Sequence, residues 1–189
     1  MPVRVVTPKR FTDARGWFTE TYNAARFAEL GIDVAFCQDN LSFSAEMLTL
    51  RGIHFQRAPH GQAKLVRCVS GRIFDVAIDL RHSSPTFGRS VSAVLTADGG
   101  EQMFVPVGFG HGYLTLVANC EVAYKVDSYY APDAEAGIAW DDPQLAVDWP
   151  LEGNLPLLSA KDAALPSFEN GDFDFAYDGR PLNSLMQEF

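Results

Sequence analysis

Several side chains able to move protons stand in short, patterned segments of this 189-residue sequence. His54 lies in RGIHFQ, residues 51–56, where polar and apolar residues alternate. If this segment is a strand, His54 and Gln56 share one face while Ile53 and Phe55 share the other, so the imidazole could face a cavity. A single histidine of this kind is more often structural, and the pattern alone leaves both interpretations open.

Lys64 and His111 are further candidates for chemistry. Lys64 begins the apolar run KLV, and a lysine entering a β core is costly unless an anionic partner or ligand compensates it. The alternative is an edge lysine whose amine reaches solvent. His111 lies in GFGHGY, residues 108–113, where glycines allow backbone or ligand to approach closely. The alternative is a turn histidine bonded to backbone.

Two tyrosines and an aspartate complete the candidate proton-transfer residues. Tyr124 and Tyr130 would share one face of an unbroken strand, although strand tyrosines usually serve packing. Asp162 ends SAKD, residues 159–162, a pattern typical of a capping box with Ser159 at the helix N-cap. On local pattern alone, the capping interpretation of Asp162 is favoured.

The sequence does not carry the usual patterns for a metal or a nucleotide cofactor. Metal-binding β-barrels often present a His-x-His pair, but here the pattern is His54-Phe55-Gln56, and His60, His82 and His111 form no such pair. We therefore predict no metal ion. No P-loop or dinucleotide-binding glycine motif is present, so no cofactor is predicted and a diphosphate would be held by Arg and Lys side chains.

Strand-like segments dominate the elements that must position these residues. Short apolar or β-branched runs, separated by turn residues, predict strands at residues 63–69, 72–80, 90–95, 103–107, 112–117 and 121–126. Such regular spacing indicates an all-β sandwich or barrel. Helices are predicted only from Asn23 to Leu30, with Gly31 as the stop, and from Ser159 to before Pro166.

Composition limits the class of protein. A chain with 47% hydrophobic residues predicts one domain over residues 1–189, with a C-terminal arm at 167–189 that is either packed on the surface or partly disordered. The net charge of -9 argues against nucleic-acid binding, and no apolar stretch fits a signal peptide or membrane span. Cys37, Cys68 and Cys120 are predicted to be buried free thiols, which indicates the cytoplasm.

A series of ordered motifs resembles one known family. The motifs are FTDARGWFTE (11–20), RGIHFQ (51–56), KLVR (64–67), FDVAIDLR (74–81), SPTFG (84–88), PVGFGHG (106–112), YK (124–125), YY (129–130), WDDP (140–143), WP (149–150) and LSAKD (158–162). Together they are similar to the dTDP-4-dehydrorhamnose 3,5-epimerase family over roughly residues 8–166. An ordered set of this length is far more specific than any single motif.

The resemblance implies a fold and an activity. The fold would be an all-β, cupin-like jelly-roll barrel with a few short accessory helices, without metal, usually a homodimer in which an N-terminal segment of one subunit reaches toward the other's site. The substrate would be dTDP-4-keto-6-deoxy-D-glucose, inverted at C3 and C5 to dTDP-4-keto-L-rhamnose. By resemblance His54 is the base, Asp162 its partner and Tyr124 the acid. A cation such as Lys64 near the C4 oxygen would stabilise the enolate.

The same resemblance assigns the substrate-binding residues. Tyr130 would stack on the thymine, and the other binding residues would be Arg15, Glu20, Gln38, Asp39, Asn40, Arg51, His111, Glu135 and Lys161. Residues 62–64 (QAK), 101–104 (EQMF) and Gly110 depart from the family's usual pattern, although none removes a proposed catalytic group. These departures leave open a single-centre epimerase; a non-catalytic sugar-nucleotide-binding module and a metal-dependent cupin are less favoured alternatives.

Overall fold

The computed structural model describes residues 2–182 and 185–188. In chain order its strands are β1 (Arg4–Thr7), β2 (Arg10–Asp13), β3 (Gly16–Thr19), β4 (Gln38–Ser44), β5 (Leu50–Gln56), β6 (Lys64–Ser70), β7 (Arg72–Asp79), β8 (Arg81–His82), β9 (Ser90–Thr96), β10 (Gln102–Val105), β11 (Phe109–Thr115), β12 (Cys120–Val126), β13 (Glu135–Gly137), β14 (Phe175–Ala176) and β15 (Leu185–Glu188). The helix is α1 (Ala24–Glu29), and single 3₁₀ turns cover Pro132–Ala134, Asp162–Ala164 and Phe168–Asn170.

Two sheets face each other across the core. One has six strands in the order β15-β1-β10-β6-β12-β4, and the other has five in the order β13-β5-β11-β7-β9. Apolar side chains from the inner faces of both sheets pack together, among them Val66 and Met103 from the first and Ala77 and Phe109 from the second. The pairing within the five-stranded sheet is antiparallel throughout. The predicted all-β class with few short helices is therefore confirmed.

The outer face of the five-stranded sheet is covered by the later part of the chain. Ile53 and Phe55 of β5 are buried there in one cluster with Trp149 and Phe173. Strand side chains alternate between faces, so burial of Ile53 and Phe55 outside the sandwich turns His54 toward its interior. The alternation predicted for residues 51–56 is confirmed.

Helix α1 packs on the outer face of the six-stranded sheet. Asn23 caps it, since the Asn23 side chain accepts hydrogen bonds from the backbone amides of Ala25 and Arg26. Phe27 is buried against Leu65 in a third apolar cluster. The helix therefore starts where the capping residue predicts and closes one side of the barrel.

Two expectations from the sequence need correction. Cys37 is exposed, because it precedes β4 instead of lying within a core strand, whereas Cys68 and Cys120 are buried. The helix expected from Ser159 is only the 3₁₀ turn Asp162–Ala164.

The C-terminal arm is attached to the body of the protein as far as it is described. Arg81 donates a 2.7 Å hydrogen bond to Asp178, and the Leu182 amide donates one of 2.9 Å to Thr86. β14 pairs in parallel with β8, and β15 pairs in parallel with β1. These contacts join described residues of the 167–189 arm to the rest of the protein; residues 183, 184 and 189 lie outside the described part of the chain.

Candidate active site

A cavity of about 500 Å³ opens between the two sheets, at the end where β5, β11, β6 and β12 present polar side chains. Its lining residues are Ser42, Thr49, Leu50, Arg51, His54, Lys64, His111, Tyr113, Tyr124, Leu157, Leu158, Ser159, Lys161 and Asp162. All four predicted catalytic residues, His54, Lys64, Tyr124 and Asp162, belong to this lining. The fold thus assembles them from segments more than a hundred residues apart in the chain, since the contact between His54 and Asp162 spans 108 positions.

One wall of the cavity carries two histidines side by side. His54 of β5 and His111 of β11 are direct cross-strand partners, which places their Cβ atoms about 5 Å apart. The two strands approach closely here because Gly52 has φ +120° and a Cβ at that position would lie 2.6 Å from the Gly112 Cα. Glycine at this position is therefore required both by its backbone conformation and by the space available.

His54 is held by a carboxylate from the loop that follows the barrel strands. Its Nε2 lies 2.6 Å from Asp162 Oδ1. Burial raises the pKa of Asp162, but the hydrogen bond and charge of His54, together with Ser159, outweigh burial and leave the pKa of Asp162 below its usual value. The Asp162 amide donates to Ser159 Oγ at 3.0 Å, so the serine half of the predicted capping box forms. The carboxylate half bonds to His54, which corrects the capping interpretation.

The second histidine of this wall also pairs with a carboxylate, which does not itself line the cavity. His111 Nε2 lies 2.8 Å from Asp75 Oδ1, and the two side chains are only 8% and 0% exposed. Burial lowers the pKa of His111, and the nearby Asp75 opposes that shift without reversing it. His111 is therefore neutral at neutral pH, with its Nε2–H donated to the carboxylate.

Lys64 faces the histidines from the six-stranded sheet and is buried. Its ammonium donates a 3.4 Å hydrogen bond to the His54 carbonyl. Burial lowers the pKa of Lys64 to about 8, while the charges of Asp75 and Glu135 partly restore it. Lys64 is therefore not an edge lysine whose amine reaches solvent. Its buried ammonium fits the other alternative, a lysine compensated by an anionic partner or ligand.

Two phenols also face the cavity. Tyr124 of β12 lies opposite the histidine wall, and burial raises its pKa, with Arg51 opposing the shift. Tyr113 is almost fully buried, and its hydroxyl is 2.7 Å from Ser42 Oγ on β4. Burial also raises the pKa of Tyr113. Both phenols are therefore protonated at neutral pH, and both line the cavity.

A polar cluster at one side of the cavity contains several residues predicted to bind substrate. The Tyr130 hydroxyl donates to Glu135 at 2.6 Å, and the Lys161 ammonium lies 2.5 Å from the same carboxylate. Gln38 donates to Asn40 at 2.9 Å and accepts from the Tyr130 amide at 3.3 Å. Tyr130 remains 54% exposed, so its ring presents an open surface.

Three predicted binding residues neither line the cavity nor belong to this polar cluster. Arg15 is exposed on the β2–β3 hairpin and pairs with Asp13 at 2.6 Å. Glu20 lies 3.5 Å from Arg26, and Asp39 points to the outer face of β4, where it pairs with Lys125 at 2.8 Å. Within residues 2–182 and 185–188, no group of three or more His, Cys, Asp or Glu side chains is arranged to hold a metal ion, and no helix is long and apolar enough to cross a membrane.

A comparison with known families identifies the class to which this site belongs. The family model described as dTDP-4-dehydrorhamnose 3,5-epimerase matches residues 2–170. The chain belongs to the dTDP-4-dehydrorhamnose 3,5-epimerase family. A relative from Salmonella typhimurium, named dTDP-4-dehydrorhamnose 3,5-epimerase, is 48% identical over 87% of this chain and 89% of its own length.

Solved structures of epimerases share the fold. The Legionella pneumophila dTDP-6-deoxy-D-glucose-3,5-epimerase in complex with dTDP-4-keto-L-rhamnose matches with a TM-score of 0.87 and 42% identity, covering 93% of both chains. A 3'-monoepimerase from Streptomyces bikiniensis in complex with dTDP-quinovose matches with a TM-score of 0.81 and 34% identity, covering 87% of this chain and 83% of that chain. The cupin-like jelly roll expected of an epimerase of this family is confirmed.

Sequence reasoning missed three polar residues around this epimerase cavity: Asp75, Tyr113 and Ser42. Asp75 could have been found, because a carboxylate inside the apolar run of residues 73–80 must be paired if that run is a buried strand. The Tyr113–Ser42 contact crosses from one sheet to the other, and no local pattern indicates it.

Proposed function

We propose that this epimerase family member inverts C3 and C5 of dTDP-4-keto-6-deoxy-D-glucose to give dTDP-4-keto-L-rhamnose, in the cytoplasm, for dTDP-rhamnose biosynthesis. The observation that carries the proposal is one cavity with the Asp162-bound His54 on one wall and Tyr124 on the other. The names and the bound sugar nucleotide of the Salmonella and Legionella relatives support this choice of substrate. All three cysteines of the chain are free, which fits a reducing compartment.

His54 removes the proton next to the ketone. The C4 carbonyl acidifies the hydrogens on C3 and C5, so an imidazole is a suitable general base for their removal. Since Nε2 is bonded to Asp162, Nδ1 is the ring nitrogen that carries the free lone pair. The C–H bond breaks, its electron pair forms the enolate, and Asp162 stabilises the resulting imidazolium.

Tyr124 returns a proton from the opposite face. Its phenol stays protonated because burial raises its pKa, and its transfer to the enolate carbon inverts that centre and leaves a phenolate. The Lys64 ammonium is placed to neutralise the enolate oxygen, a type of contact that contributes about 3 kcal/mol to transition-state stabilisation. Exchange of the His54 and Tyr124 protons with solvent prepares the site for the second centre.

The nucleotide end is bound by the polar cluster beside the cavity. We assign thymine stacking to the exposed face of Tyr130, with Glu135, Lys161, Gln38, Asn40 and Arg51 around it. His111 contacts the sugar, since its ring lines the same cavity as His54. The remaining predicted ligands, Arg15, Glu20 and Asp39, act from surfaces outside this cavity.

In a homodimer, the surfaces that carry Arg15, Glu20 and Asp39 would lie beside an active-site cavity. The β2–β3 hairpin pairs only within itself among the named strands and exposes Phe11, Trp17 and Phe18, which are 51%, 57% and 69% exposed. The outer face of β4 exposes Leu41 and Phe43 at 66% and 54%. Apolar patches of this kind mark protein–protein contacts. We assign them to a second copy of this chain, whose hairpin carries Arg15 toward the neighbouring cavity.

Mixed dimers test that assignment. Variants Arg15→Ala and His54→Ala should each lose activity alone. Mixing and re-equilibrating them should restore about a quarter of wild-type activity, because each mixed dimer holds one site with both native residues. Failure to restore activity in dimers shown to exchange would mean that each site takes Arg15 and His54 from the same subunit, which contradicts the assignment.

Deuterium exchange tests the reaction itself. With wild-type protein in D2O, dTDP-4-keto-6-deoxy-D-glucose should take up deuterium at both C3 and C5, which proton NMR can follow over time. The His54→Ala variant should abolish exchange at both carbons. The similarity to the Streptomyces monoepimerase makes a single-centre reaction the second candidate. Deuterium at one carbon would establish that candidate, and binding without exchange would indicate a non-catalytic module.

A further inference from the structure

Two buried aspartates on the inner face of β7 are bonded very differently. Asp79 accepts hydrogen bonds on both oxygens: Arg81 Nε at 2.8 Å, Arg81 Nη2 at 2.8 Å, Ser84 Oγ at 2.7 Å and Thr86 Oγ1 at 2.7 Å. Asp75 accepts one, from His111 Nε2 at 2.8 Å, and its buried Oδ2 has no hydrogen-bond partner within the described residues. Both side chains are fully buried. Asp79 is therefore a saturated structural carboxylate, and Asp75 is not.

Lys64 is the complementary group across the sandwich. Its buried ammonium has three donors, and its contact with the His54 carbonyl at 3.4 Å uses one of them. The charged groups near this ammonium are Asp75 and Glu135, which favour the charged form, and its other polar neighbours are His54 and His111. Of the two carboxylates, Asp75 raises the pKa of Lys64 more than Glu135 does. An uncompensated carboxylate oxygen and an undersatisfied ammonium thus lie at the same end of the barrel.

We propose that Asp75 is a positioning residue for the epimerisation, fixing the His111 ring through Oδ1 and sustaining the charge of the Lys64 ammonium with the unshared charge at Oδ2. The inference rests on the proposed function for its catalytic consequence. Because Nε2 of the neutral His111 ring is the donor to Asp75, Nδ1 is left as an acceptor for a sugar hydroxyl. Asp75 itself does not line the cavity, so it acts on the sugar only through His111 and Lys64.

The test compares Asp75→Asn with Asp79→Asn, two substitutions of the same size on the same strand face. Asp75→Asn should keep the melting temperature close to wild type, lower kcat about ten- to a hundredfold, and move the alkaline limb of kcat/KM to lower pH. Asp79→Asn should lower the melting temperature and leave the alkaline limb where it is in wild type. If Asp79→Asn does not fold, Thr86→Ala removes one of its hydrogen bonds and replaces it as the control.

A measurement independent of activity separates this inference from the proposed function. In ¹⁵N-histidine NMR of wild-type protein, His111 should show the Nε2–H tautomer, and Asp75→Asn should change the tautomer populations. A wild-type Nδ1–H tautomer, or an Asp75→Asn variant that loses stability like Asp79→Asn while its pH profile is unchanged, would overturn the positioning role. Absence of deuterium exchange in wild type would instead overturn the reaction.

Discussion

The two histidine–aspartate pairs of this barrel have the same hydrogen-bonding pattern and different surroundings. His54 is 29% exposed and bonds to Asp162, which lies in the 3₁₀ turn Asp162–Ala164, outside both sheets. His111 is 8% exposed and bonds to Asp75 on the adjacent strand of its own sheet. The rings are direct cross-strand partners, so strand position does not distinguish them. Solvent exposure does, since both side chains line the same cavity.

The difference shows how one fold can assign two roles to one residue type. In the proposed reaction, the partly exposed His54 takes a proton from the ligand and exchanges it with solvent afterward. The buried His111 keeps a fixed neutral form, because burial lowers its pKa and leaves only the Asp75 carboxylate to accept its Nε2–H. The proposed reaction therefore uses one pair for proton exchange and the other as a constant hydrogen-bonding surface.

The largest expected effect comes from replacing the exposed histidine. His54→Asn should lower kcat about 10²- to 10⁴-fold, since it removes the general base. His111→Asn should cost less, and His60→Asn, at an exposed position outside the cavity, should leave kcat at the wild-type value. The measurement is initial-rate deuterium exchange with circular dichroism as a folding control. Equal losses in His54→Asn and His111→Asn would remove the proposed division of roles.

Asp162→Asn should have the next largest effect. An amide does not stabilise the imidazolium and can favour the wrong ring tautomer, so we expect kcat to fall about 10²-fold or more. KM should change little, because Asp162 bonds to His54 and Ser159. Steady-state kinetics measure this split, and a rise in KM with unchanged kcat would show that Asp162 binds the sugar instead.

Tyr124→Phe should separate exchange from inversion. Without the phenol, His54 can still remove a proton and return it to the same face, so substrate deuteration should continue while epimer formation falls about 10²-fold. NMR of the recovered sugar nucleotide distinguishes deuterated substrate from product. Loss of both processes together would mean that Tyr124 also holds the substrate in place.

The pH dependence of kcat/KM should report the protonation state of the Lys64 ammonium, which faces the two histidine–aspartate pairs. The pKa of Lys64 is about 8, so the charged form is present below that pH and is lost above it. We expect kcat/KM to fall about tenfold per pH unit above that value. Lys64→Arg keeps its charge throughout this range and should lack the alkaline limb. A limb that persists in Lys64→Arg would assign it to another group.

The smallest expected effect comes from removing the hydrogen bond between the Tyr113 and Ser42 hydroxyls, which joins the two sheets. Tyr113→Phe removes the 2.7 Å contact with Ser42, which should lower the free energy of unfolding by about 1 kcal/mol and change kcat only a few-fold. Ser42→Ala and the double variant complete a cycle that isolates the pairwise contribution. A loss of kcat as large as that of Tyr124→Phe would make Tyr113 a second acid.

Much of the barrel could be predicted from sequence because its strands carry local signals. Alternation placed Ile53 and Phe55 on the outer face and His54 inside, and Asn23 marked the start of α1. Resemblance to the family, more than local pattern, brought Asp162 into the site, since its capping box hid a partner 108 positions away. Asp75 and the Tyr113–Ser42 pair were missed because their roles depend on contacts between strands, which no single segment encodes.

The exposure of Cys37 provides a specific labelling position. Burial raises the pKa of Cys68 to about 12, and Cys120 is also buried, so a thiol-reactive dye should modify Cys37 alone. The next residue, Gln38, accepts a hydrogen bond from the Tyr130 amide. A fluorophore on the native sequence would therefore lie next to the proposed nucleotide-binding side of the cavity and could follow ligand arrival in real time without any engineered cysteine.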